Sequence, residues 1–264
     1  MRTLIVVVLG IMMAAGQGLA QDLSVDQIVE KANFAAYYGG DDGLSDANMT
    51  IKDAQGRTRN RVFRILRYDV EDGGEQRFYV YFYKPTDVSR MVYMVWKHIG
   101  RDDDRWLYLP AMDLVRRIAS SDKRSSFVGS HFVYEDVSGR GTQADTHKLI
   151  ETTDEYYKVR NIPKDTKGVE FAYYDVWIRK DNFLPYKSEY YDSLDKMYRS
   201  IEAMEIKDIE GIPTVVKSVA KDATRGGETT MEFSNIDYNV GFDASLFEER
   251  YLRRPAMQWL KEAQ

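Results

Sequence analysis

The chain is 264 residues long, contains no cysteine, and carries a formal charge of −5 at pH 7. The missing cysteines exclude disulfides, thiol catalysis, thiolate-bound metals and an acylated N-terminal cysteine, so burial of a core must stabilise the fold unaided. A mildly acidic chain with interspersed charges also offers no footprint for nucleic acid.

Arg2, the apolar run Leu4–Ala15 and the small residues of Gly18-Leu19-Ala20 form a secretory signal peptide over residues 1–20, with cleavage expected between Ala20 and Gln21. A retained anchor is the alternative, but the run is shorter than the ~20 apolar residues that span a bilayer. Residues 21–264 are then expected to form a single periplasmic β domain. It opens with a helix, because Ser24-Val25-Asp26-Gln27 has capping-box spacing and Ile28, Val29, Ala32, Ala35 and Ala36 continue with helical period. Gly39-Gly40 ends it.

The period then changes to two. Strands are predicted at Ala47–Asp53, Thr58–Tyr68, Gln76–Lys84, Met91–His98, Arg105–Pro110 and Leu114–Ala119. An irregular stretch occupies Ser120–Gly141. Strands resume at Thr146–Thr152, Tyr156–Ile162, Ala172–Lys180, Pro185–Tyr191, Lys196–Glu205, Thr214–Asp222 and Thr229–Tyr238. A short helix is expected over Pro255–Lys261. Breaks of hairpin length between so many strands argue for one antiparallel sheet, curled or closed, and against a βαβ fold.

Phe78, Val80 and Phe82 share one face of their strand, and Tyr79, Tyr81 and Tyr83 share the other. One face of the sheet is therefore apolar over a large area. Only the N-terminal helix and the irregular middle segment stand out as covers. Two outcomes stay open: a ligand cavity, or an interior filled by the protein's own side chains. The residues expected to line a cavity are Phe63, Ile65, Phe78, Val80, Phe82, Tyr93, Val95, Val176, Ile178, Met231 and Phe233. A one-residue slip in register would exchange half of them.

Catalytic and metal patterns are absent from the sequence. His98, His131 and His147 lack metal-ligand spacing, and Gly129-Ser130 is not part of a nucleophile elbow. Asp102-Asp103-Asp104 lacks calcium-loop spacing and is expected to be a solvated hairpin tip. No catalytic residue, cofactor or metal is expected. The adjacent Arg116-Arg117 and Glu135-Asp136 could form a bidentate contact tying the irregular segment to the preceding strand. Alternatively the arginines could meet lipid head groups or an acidic partner.

Two clusters carry a resemblance. Trp106-Leu107-Tyr108-Leu109-Pro110-Ala111 with Arg116-Arg117-Ile118, and Phe127-x-Gly129-Ser130-x-Phe132-x-Tyr134-Glu135-Asp136, resemble the outer membrane lipoprotein-sorting protein family, which is related in fold to the Lol-pathway lipoprotein carrier. Pro185-Tyr186-Lys187, Gly211-Ile212-Pro213-Thr214 and the Phe247–Leu252 stretch extend the similarity over most of the mature chain. His131 departs from the pattern, because the family usually has Asp there. If that acid pairs with an arginine, the contact is weakened or made pH-dependent here.

The resemblance implies an incomplete, strongly curved antiparallel β-barrel with a few capping helices, a periplasmic location, and acyl chains bound in the concave face. No position matches the carrier's lid-locking arginine, so that role is not transferred. The first functional expectation is a non-catalytic carrier for lipid or acylated protein, with an inner-membrane transporter or an outer-membrane acceptor as partner. The second is an interaction subunit docking on an envelope transporter or stress regulator through exposed tyrosines and the Arg116-Arg117 region. An enzyme acting on an envelope lipid or glycan is a third.

Overall fold

The computed structural model describes residues 23–261; the expected signal peptide and its cleavage site lie outside them. The helix α1 (Val25–Tyr37) begins as its sequence dictates. Ser24 Oγ accepts from the Gln27 amide at 3.2 Å, and Gln27 Oε1 accepts from the Ser24 amide at 2.9 Å. The apolar stripe of α1 buries Ile28 and Ala32.

Among the described residues thirteen strands form one sheet. The first six are β1 (Asp42–Lys52), β2 (Thr58–Asp69), β3 (Gln76–Lys84), β4 (Val92–Lys97), β5 (Asp104–Leu109) and β6 (Leu114–Arg117). The remainder are β7 (Asp145–Thr152), β8 (Tyr156–Pro163), β9 (Tyr173–Arg179), β10 (Pro185–Tyr191), β11 (Met197–Ile209), β12 (Ile212–Asp222) and β13 (Glu228–Tyr238). The spatial order runs β6-β5-β4-β3-β2-β1-β13-β12-β11-β10-β9-β8-β7. The chain thus starts in the centre of the sheet, meanders to the β6 edge, crosses to the β7 edge, and meanders back until β13 pairs with β1. β6 and β7 do not pair, so the barrel stays incomplete. Register shifts at Leu44/Asp46, Pro185/Lys187 and Ala203/Glu205 add bends to the strands that curve around the concave side.

The crossing segment between the two edges lies over the concave face and contains the short helix α2 (Tyr134–Ser138). Its Phe127, Phe132 and Tyr134 pack into one cluster with Phe63, Phe78, Val80, Phe82, Tyr93 and Val95. α1 covers the other half of that face, against Val159 of β8 and Ile178 of β9.

The convex face has a cover that the sequence did not reveal. Tyr79 and Tyr81 are buried there with Leu66, Met94 and Trp106, beneath Phe242, Phe247, Leu252 and Leu260. Tyr79 Oη donates to the Tyr251 carbonyl at 2.7 Å, and Trp96 Nε1 to the Phe247 carbonyl at 2.8 Å. The helix expected over Pro255–Lys261 is displaced: α3 occupies Arg250–Arg253, and Ala256–Leu260 only turns. Apolar anchoring of Leu252, Trp259 and Leu260 to the sheet decides the path of this segment.

Candidate hydrophobic binding site

A cavity of about 500 Å³ lies between α1, the concave face and the crossing segment. Val29, Ala32 and Ala36 of α1 form one wall. Phe63 and Ile65 of β2 with Phe78 of β3 form another, and Val176 and Ile178 of β9 a third. Ile201, Val215, Met231 and Phe233 supply the floor, while Phe132 and Val137 reach in from the crossing segment. Alternation along each strand places these side chains on one face. The lining is mostly apolar, and the volume suits a drug-sized ligand or one hydrocarbon chain.

The candidate lining residues divide into two groups. Phe63, Ile65, Phe78, Val176, Ile178, Met231 and Phe233 border the cavity. Val80, Phe82, Tyr93 and Val95 share the concave face but lie in its solid end. There the Phe127 ring fills the space, with its centroid 6.0 Å from Phe82, 5.5 Å from Tyr93 and 5.6 Å from Tyr134. Both outcomes left open by the sequence therefore coexist: one end of the barrel is filled and the other is hollow. Val128, next to this plug, has φ +50°, a left-handed conformation costly for a β-branched residue. The burial of Phe127 holds it there.

Charged side chains fasten the crossing segment, which lies over the cavity as a lid, to the far half of the sheet. Arg140 Nε and Nη2 each donate to the Asp145 carboxylate at 2.9 Å, and Nη1 donates to Glu135 at 3.3 Å. Arg124 donates to Glu135 at 3.3 Å and to Glu170 at 2.8 Å, and its guanidinium lies over Phe171 and Tyr190. Asp136 accepts from the Val133 amide at 2.7 Å, which caps α2, and from Arg199 of β11. Tyr174 of β9 donates to Asp145 at 2.8 Å. Burial pushes the Tyr174 hydroxyl well above its ordinary pKa, and the neighbouring Asp145 charge adds to the effect, so it remains a donor.

The Arg116-Arg117 pairing with Glu135-Asp136 does not form. Both arginine side chains are exposed, at 62% and 64%: Arg116 lies 3.9 Å from Asp122, and Arg117 pairs with Asp104 and covers Trp106. The true partners of the acidic pair are Lys123, Arg124 and Arg140 on the lid itself and Arg199 on a strand distant in sequence. Trp106 and Tyr108 face the convex cluster, and Pro110 opens a single 3-10 turn. Ser130 Oγ accepts from the Phe132 amide at 3.2 Å, and Gly129 takes φ +76° beside the plug. His131 pairs with Thr229 Oγ1 at 2.8 Å, and the arginine of the neighbourhood, Arg199, reaches only its backbone carbonyl at 3.4 Å. Asp103 is not solvated as expected, since it binds Arg105 and Ser138. His98 sits between Glu75 and Asp104, at 2.7 and 3.1 Å, and His147 between Asn161 and the Thr142 carbonyl. Among the described residues no group of His, Asp and Glu is placed to hold a metal ion.

The fold recurs in known proteins. A protein-family model described as an uncharacterized-protein-like family matches residues 74–254, more than half of the chain. A DUF1329 family protein from Desulfovibrio piger superposes with a TM-score of 0.79 at 29% identity, over 86% of this chain and 97% of that one. A domain assigned as an outer membrane lipoprotein-sorting protein from Vibrio parahaemolyticus also gives 0.79, at 24% identity over 87% and 98%. The chain belongs to the uncharacterized-protein-like family that the matching family model describes. A LolA superfamily protein from Nitrosomonas europaea shares the fold of this family member, with a TM-score of 0.68 at 17% identity over 87% and 100% of the two chains. Curated proteins contain no sequence match. The incomplete curved barrel expected from the resemblance is the observed architecture.

Proposed function

We propose that this protein is a non-catalytic periplasmic carrier that holds an acyl chain of a lipid or lipoprotein in the cavity beneath its lid. The hollow end of the barrel carries the proposal: about 500 Å³ walled by Ile65, Val176, Ile178, Met231 and Phe233, with α1 on one side. Each methylene moved there from water contributes ~0.8 kcal/mol, so ten methylenes supply roughly 8 kcal/mol before the costs of association. Firm binding needs no specific polar contact. Release requires displacement of α1 or of the ion-paired lid, which a membrane partner could drive. The chain is proposed to reach the periplasm by a signal peptide cleaved after Ala20.

The experiment is extraction of the protein, purified from the periplasm of expressing cells, with organic solvent, followed by mass spectrometry. A lipid or fatty acid in near-stoichiometric amount is expected. Protein free of lipid, and unable to take up a long-chain alcohol, would leave the barrel as a docking scaffold.

A further inference from the structure

At the closed end of the concave face the apolar layer gives way to buried polar side chains that the carrier role does not use. Gln76 opens β3 and pairs in register with Lys97, the last residue of β4. Arg105 of β5 pairs with Val95, one step diagonal to Lys97 on the same face. All three are sealed from solvent, at 0%, 3% and 2% exposure. Gln76 Oε1 and Lys97 Nζ find no hydrogen-bond partner, and Arg105 Nε and Nη1 have none beyond the facing Tyr93 hydroxyl. Buried polar atoms are almost always paired, so the three orphaned donor atoms of Lys97 and Arg105 call for an acceptor, a role that Gln76 Oε1, itself an acceptor, does not share.

The charges around them fix its sign. Arg67 is held by Asp69, which also accepts from Gln76 Nε2 at 2.7 Å. Arg105 Nη2 is held by Asp103, which Ser138 also meets at 3.2 Å. The Tyr93 hydroxyl faces Arg105 and donates to the Tyr134 carbonyl. Lys97 alone has no ion-pair partner in contact: Asp103 and Asp69 favour its charge from farther away, while Nζ lies 4.8 Å above the Tyr37 ring and 5.6 Å from that of Tyr38. Three cations face two carboxylates.

We infer that Lys97 and Arg105 form a buried binding site for a small monoanion of carboxylate or halide type. Burial lowers Lys97 to about 8, so it remains charged at neutral pH and able to hold the anion. The site adjoins the hydrocarbon cavity, because Tyr37, Arg67 and Phe78 border the cavity while Tyr37 and Arg67 also touch the polar cluster. A carboxylate head group of a bound chain and a free anion share the required chemistry.

The inference stands apart from the carrier reading, and two measurements on the delipidated full-length mature protein separate them. First, melting temperature is followed as gluconate is replaced by chloride or acetate at fixed ionic strength. A saturable rise in wild type that is absent in Lys97→Met is expected; identical responses would overturn the site. Second, hexadecanoate and hexadecanol are compared as ligands. A preference for the acid of about tenfold or more, lost in Lys97→Met, assigns the site to a head group. No preference together with a chloride response assigns it to a free anion. Failure of hexadecanol to bind counts against the hydrocarbon cavity only. A crystal grown in bromide should show an anomalous peak within hydrogen-bond reach of Lys97 Nζ, and its absence together with an unaltered melting temperature contradicts the proposal even if the variant fails to fold.

Discussion

Arg140 holds Asp145 in a bidentate clasp across the seam between lid and sheet, with Nε and Nη2 both 2.9 Å from the carboxylate. Asp145 begins β7, so the clasp joins the lid to the edge strand that starts the second half of the barrel. The Asp145 side chain is almost wholly buried, and the Arg140 side chain nearly so. Removing the guanidinium strands a carboxylate in a poorly solvated place. Arg140→Met should therefore destabilise the protein by about 3–5 kcal/mol in urea titrations. Arg140→Met combined with Asp145→Asn should recover much of that loss, because the amide oxygen still accepts from Tyr174 and no charge is left unpaired.

Phe127 serves as the protein's own filler for the solid end of the barrel. Phe127→Ala should cost about 3–5 kcal/mol, the usual range for a buried phenylalanine. If the void remains open, it should join the hollow end and let the folded variant retain more bound hydrocarbon per molecule than wild type. Quantitative lipid extraction at a temperature where both proteins are folded reads this directly.

Lys97 makes stability depend on pH in a direction unusual for a basic group. Its pKa is about 8 folded against 10.5 for the ordinary side chain. Between these values the unfolded chain binds more protons, so stability rises with pH from about 8 upward. The rise should reach up to about 3 kcal/mol. Deprotonation of tyrosines in the unfolded chain opposes it above about 10, since burial raises the folded Tyr79 and Tyr93 hydroxyls. Lys97→Met should flatten the curve between pH 8 and 10, measured by urea denaturation in gluconate. Added chloride or acetate should blunt the wild-type rise by holding the lysine charged.

The strand pattern was legible because alternation survives wherever one face is buried. All thirteen strands were expected within a few residues of their place. β1 was expected to begin at Ala47 and begins at Asp42, because the irregularity between Leu44 and Asp46 breaks the period. The convex cover was hidden. Tyr79, Tyr81 and Tyr83 share one strand face, and nothing local shows that Phe247 and Leu252 return to bury the first two. The lid's ion pairs were hidden for a similar reason. Arg116-Arg117 looked suitable because the two arginines are adjacent, while Arg199 reaches Asp136 from 63 residues away. The division of the concave face into filled and hollow ends depends on where one ring, Phe127, comes to rest, and periodicity carries no information about that.

The most direct measurement is a titration of delipidated wild type and Ala203→Trp with a fluorescent hexadecanoyl probe. Ala203 lines the cavity from β11. An indole placed there should occupy the space meant for the chain while costing no more than about 1–3 kcal/mol of stability. Wild type should bind saturably, and the folded variant should bind at least about tenfold more weakly. Equal affinity in the two proteins, or no saturable binding by wild type, would contradict the assignment of this cavity as an acyl-chain site.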